Sequence, residues 1–159
     1  MFKRVNITAM VLGVMTVLAL TPNLAMAQMG SPSAVEEHTA QTGSYRIKIR
    51  TGPKVTMTMA SMTVTDQGNP VNRHLEAHIF NRSTGAEVQT IVPVVRVTNQ
   101  ATGASRQLAN MTACRVSRHL ETEPHFGDNV YLPDGTYTIT VAVGAETAVF
   151  RNLVLRASN

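Results

Sequence analysis

The sequence predicts an all-β protein built as an antiparallel sandwich of about seven strands. Three features carry that reading. Short segments rich in Val, Ile and Thr begin at Tyr45, turn signals of Gly, Asn, Asp and Pro divide them, and neither a long helical period nor a repeat unit interrupts them.

Two segments precede the strands. Residues 1–27, "MFKRVNITAMVLGVMTVLALTPNLAMA", place Lys3 and Arg4 ahead of an apolar run that closes on Pro22 and the small-x-small Ala25-Met26-Ala27. That is the order of a secretory signal peptide, with cleavage expected after Ala27 and an exported, soluble mature chain. Residues 28–43, "QMGSPSAVEEHTAQTG", lack apolar periodicity and are expected as a flexible lead, with His38 solvated. The β-sandwich domain is expected over 44–159.

Strands are expected at 45–50 "YRIKIR", 55–64 "VTMTMASMTV", 73–80 "RHLEAHIF", 89–98 "QTIVPVVRVT", 105–113 "SRQLANMTA", 136–143 "TYTITVAV" and 147–155 "TAVFRNLVL". Between them stand "DQGNP" at 66–70, "NRSTG" at 81–85, "NQATG" at 99–103 and "PDG" at 133–135. Pro93 inside the fourth segment marks an edge or a bulge, because proline cannot donate to a ladder. In "PDGTYTITV" a tight turn feeds a strand with Tyr137, Ile139, Val141 and Val143 on one face. Immunoglobulin-like sandwiches place a Tyr at such a corner, so the expected fold is an immunoglobulin-like antiparallel β-sandwich; a half-buried strand aromatic is the plainer reading of Tyr137.

Charge and cysteine content narrow the function classes. The formal charge of +4 falls to about +2 without Lys3 and Arg4, and no basic run is interleaved with aromatics. Nucleic acid is therefore not an expected partner. Cys114 is the single cysteine, so no internal disulfide can form; burial, an intermolecular bridge or soft metal ligation remain open to it.

Chemistry concentrates in two places. In "RHLEAHIF", His74, Glu76 and His78 alternate, so a strand would present all three on one face and Leu75, Ala77 and Ile79 on the other. A helical zinc-protease motif is excluded, because H-x-E-x-H would put Glu76 off the face that the histidines share. Neighbours two apart on a strand are roughly 6.6 Å from one another, and His74 and His78 about 13 Å, so one ion bonded at about 2.0–2.1 Å reaches an adjacent pair but not all three. The strand supplies two ligands, and the rest must come from elsewhere. The second place is "MTACRVSRHLETEPHFGDNVY", which holds Met111, Cys114, His119, Glu121, Glu123 and His125 over a strand end and the loop expected after it. Met111 and Cys114 would point to opposite faces if the strand ran through both. Imidazole with carboxylate and thioether suits copper, although a wet polar strand face and core-filling methionines are the competing readings.

Two stretches carry a resemblance. "HLEAHI" at 74–79 and "PHFGDNVYLPDGTYTITVAV" at 124–143 resemble the H-x-E-A-D-I strand and the G-x-H-Y-G-x-N-V-x-L...G-x-Y-x-V-x-V stretch of the periplasmic iron-transport proteins that bind copper and accompany inner-membrane iron permeases. The likeness spans most of residues 55–143. It implies an immunoglobulin-like sandwich, a periplasmic location, a homodimer, an inner-membrane iron permease as partner and a copper site made by His74, Glu76, His125 and Met111. Iron, zinc or manganese are alternative cargoes. The chain departs from that pattern at His78, where the family has Asp, and at Phe126, where it has Tyr. The longer stretch before His125 introduces His119 as a competitor to Met111, with His78 and Cys114 as further candidates, and the family's last His has no counterpart. No enzymatic activity is expected; a metal-free sandwich that binds an envelope component is the alternative function.

Overall fold

The computed structural model describes residues 35–54, 63–109, 111–114 and 124–156. The strands are β1 (Glu36–Gln41), β2 (Tyr45–Pro53), β3 (Thr65–Asp66), β4 (Asn69–Pro70), β5 (Arg73–Asn81), β6 (Val94–Asn99), β7 (Ser105–Gln107), β8 (Thr112–Cys114), β9 (His125–Val130), β10 (Gly135–Val143) and β11 (Glu146–Leu155). All pairings are antiparallel. One sheet runs β1-β2-β5-β9-β8, the other β11-β10-β6-β7, and β3-β4 is a small separate ribbon. The antiparallel sandwich expected from the sequence is the architecture observed.

Alternation builds the core. On β2 and β5, Ile47, Ile49 and Thr51 pair with Ile79, Ala77 and Leu75, so their side chains share one face. That face meets Val95 and Val97 of β6 and Tyr137, Ile139, Val141 and Val143 of β10 in one apolar cluster. Each such fully buried large aliphatic side chain contributes about 1.5–3 kcal/mol. The Tyr137 hydroxyl donates to the Pro133 carbonyl at 2.9 Å, which anchors the corner that leads into β10.

Four segments differ from the sequence reading, each for a backbone reason. The stretch expected as a lead contains β1, whose residues pair from Glu36 with Thr51 to Gln41 with Arg46; an edge strand lives on its ladder and needs no apolar pattern. Segment 105–113 divides into β7 and β8 in different sheets, because the chain crosses the sandwich between them while Leu108 and Met111 bury into the core. His125–Val130 forms β9, between β5 and β8, where the sequence suggested a loop. In β11 the buried positions run Ala148 and Phe150, then Leu153 and Leu155, and the pairing with β10 slips between Tyr137 and Ile139. A bulge there, with Asn152 at φ 57°, absorbs the extra residue. Pro93 stands just before β6, outside its ladder. Residues 55–62, most of the second expected strand, lie outside the described residues.

Candidate metal centre

The outer face of the five-stranded sheet carries the candidate ligands. In the β5–β9 register His74 pairs with Asn129 and Glu76 with Gly127, so these four positions share the face opposite Leu75, Ala77 and Phe126. His125 follows two residues before Gly127 on the same face, and its ring centroid lies 6.1 Å from that of His74, nearly perpendicular. An antiparallel pair of strands thus gathers what one strand cannot: two ligands from β5 and a third from β9.

Burial decides between a wet strand face and a built cluster. His74 is 3% exposed, Glu76 8%, His78 0% and His125 2%. Ionisable groups so withdrawn from water must be hydrogen-bonded, paired or metal-bound to offset their lost hydration. Glu76 Oε1 lies 3.7 Å from His74 Nε2 and 3.9 Å from His125 Nε2. One donor atom from each of the three residues falls within 4.8 Å of the others. An ion bonded at about 2.0–2.2 Å to nitrogen and oxygen spans such a triangle after a small contraction of the side chains.

Gly127 makes the space. A Cβ on it would stand 2.9 Å from His74 Nε2 and 3.2 Å from His125 Cδ2, so the two rings occupy room that any other residue would take. Asn129 sets the tautomer. Its side-chain oxygen, 3.1 Å from His74 Nδ1, can only accept, so Nδ1 carries the proton and the Nε2 lone pair faces Glu76 and His125. Behind them Asp128 accepts from the Thr63 amide at 3.1 Å and its hydroxyl at 2.7 Å, which ties β9 to the segment entering β3.

Burial and hydrogen bonding set the ionisation of the donors. Burial holds the His74 imidazole below its ordinary pKa, against the opposing pull of Glu76 and the Asn129 hydrogen bond, so the ring is a neutral lone-pair donor. Burial alone would raise the Glu76 carboxyl. The His78 hydrogen bond and the pull of the neighbouring His125, His74 and His78 rings outweigh it and keep the carboxyl below its usual value.

The other predicted ligands fare differently. Met111, expected as the thioether ligand, packs into the apolar core. The reason is parity: Thr112 pairs with Gly127, so the preceding residue turns toward the core side. Cys114 pairs with His125 in the β8–β9 register. His78 joins the cluster through Glu76, its Nε2 3.3 Å from Oε2. His119 lies outside the described residues. Sequence reasoning missed Gly127 and Asn129, because "FGDN" reads as a turn. Their signal was the alternation His125, Gly127, Asn129 along one face.

No known sequence family matches the chain, and no characterised protein matches it by sequence. Solved structures do. FetP of uropathogenic Escherichia coli strain F11, produced in the E. coli periplasm, superimposes with a TM-score of 0.57 at 14% identity, covering 78% of this chain and 98% of that one. A copper-bound variant of the same FetP gives 0.57 at 14% identity over 77% of this chain and 99% of that one. A copper-bound variant of Campylobacter jejuni P19 gives 0.55 at 16% identity over 70% and 76%. The fold is one that FetP and P19 share. At such identities the likeness establishes the FetP and P19 architecture for this chain, while the ligand geometry stands on the distances above.

Proposed function

We propose that this protein is an exported, periplasmic metal carrier that binds copper as cargo and assists metal uptake or delivery to an inner-membrane transporter. The observation that carries the reading is the buried convergence of His74, Glu76 and His125 on one face of the β5–β9 pair. Two imidazoles and one carboxylate form a borderline donor set that suits copper, and also zinc. The copper-bound state of the FetP and P19 variants supports the same choice. Iron or manganese are secondary cargoes on this reading.

The residues have distinct tasks. His74, aimed by Asn129, and His125 supply nitrogen; Glu76 supplies charge and one oxygen; Gly127 keeps the space clear. No step requires a bond to be made or broken in a substrate, so the protein acts as a carrier and not as an enzyme. Cleavage after Ala27, assembly as a homodimer and docking to an inner-membrane iron permease complete the proposal.

Calorimetric titration of the mature chain with Cu(II) tests it. About one ion per monomer is expected, with affinity lowered by roughly tenfold or more in His74→Ala and in His125→Ala. Unchanged affinity in both variants contradicts the reading.

A further inference from the structure

His78 is the third imidazole on this face, and the ordinary alternation of β5 places it two residues beyond Glu76. Its Nε2 lies 3.3 Å from Glu76 Oε2, whereas Oε1 of the same carboxylate lies 3.7 Å from His74 Nε2 and 3.9 Å from His125 Nε2. A carboxylate oxygen accepts, so the His78 N–H is the donor. Glu76 is thereby divided: one oxygen is engaged by His78, and the other faces the two ligand imidazoles.

The His78 ring is itself held in place. It lies parallel to the Phe80 ring within 4° at a centroid distance of 6.4 Å, and its centroid is 5.3 Å from that of His125. Glu87 Oε1 sits 3.9 Å from its other nitrogen. A fully buried ring with neighbours on several sides keeps its orientation, and so keeps the Glu76 carboxylate from rotating.

We propose that His78 is a positioning residue that restricts Glu76 to one oxygen toward the ion and thereby sets the metal preference of the site. The inference rests on the metal-binding reading above. An oxygen occupied by an N–H donor is a weak metal ligand, so the ion meets a compact set of two nitrogens and one oxygen. Such a set suits copper. A carboxylate free to bind through both oxygens favours larger or harder ions that take more oxygen ligands, such as Mn(II).

The test is a pair of titrations, Cu(II) and Mn(II), on the full mature chain and on His78→Leu and His78→Gln, with the Cu(II) EPR spectrum as the second readout. In His78→Leu the ratio of copper to manganese affinity is expected to fall by roughly tenfold or more, with altered copper hyperfine splitting. The Gln amide nitrogen superposes on Nε2, so His78→Gln is expected to return the ratio to within about threefold of the original. An unchanged ratio in His78→Leu, or an equal loss for both ions, overturns this inference alone, provided the unmutated chain binds copper. If the unmutated chain binds neither ion, the metal-binding reading falls and this inference falls with it. Should His78→Leu not fold, His78→Asn replaces it: the Asn amide superposes on Nδ1 and stops short of Glu76, so Asn against Gln decides between the same two results.

Discussion

A methyl group at position 127 would stand 2.9 Å from His74 Nε2, closer than a real Cβ comes to another heavy atom. Gly127 lies in β9 with no positive φ, so alanine is acceptable to the backbone and objectionable only to the two rings. Gly127→Ala therefore separates the site from the fold without deleting a ligand. Copper affinity is expected to drop by roughly 10–100-fold while the metal-free protein still unfolds cooperatively, as calorimetry and thermal denaturation would report. Copper binding equal to that of the unmutated chain would show that the rings do not need the room. The same residue shows why part of the site escaped the sequence. Gly127, Asp128 and Asn129 have turn chemistry, and only the pairing with β5 turns them into a strand whose alternate positions face His74 and Glu76.

Among the elements, one carboxylate links two hairpins at one end of the sandwich. Glu146, at the start of β11, accepts from the Ser44 amide at 2.8 Å and the Ser44 hydroxyl at 2.5 Å, tying the β1–β2 turn to the β10–β11 turn across the two sheets. Those bonds from Ser44, with smaller help from Thr42 and Gly43, lower its pKa from 4.5 to about 2. A carboxyl depressed in the folded state stabilises it above the unfolded pKa, and that contribution is lost as pH falls through the folded one. Glu146→Gln is thus expected to melt below the unmutated protein at neutral pH, with the gap closing between pH 4.5 and about 2. A gap independent of pH across that window would contradict the assignment. Elements with side-chain periodicity, β2, β5, β10 and β11, were legible. Those defined by their partners were not: β1 is an edge that contributes a ladder, β7 and β8 are a single segment divided by a crossing between sheets, and the β11 bulge breaks the period of two. His74, Glu76 and His125 were legible as residue types, whereas the core-side placement of Met111 follows strand parity, which a sequence cannot fix until the start of β8 is known.

At the scale of the whole molecule, the core and the site occupy opposite faces of the same strands. Leu75, Ala77 and Ile79 bind β5 to the second sheet, and His74, Glu76 and His78 look the other way. Folding therefore does not consume the ligands, and a bound metal would add stability by linkage, about 2.7 kcal/mol at a free concentration a hundred times Kd. The likeness to FetP and P19 extends over the sandwich, which fixes where strands run but not which donors they carry. The central claim is that two imidazoles, from β5 and β9, meet one ion. Pulsed EPR on the protein loaded with one equivalent of Cu(II) tests it most directly, because the remote nitrogen of each coordinated imidazole modulates the echo. Two coordinated imidazoles are expected, falling to one in His125→Ala; a spectrum without imidazole modulation, or one that His125→Ala leaves unchanged, would contradict the claim.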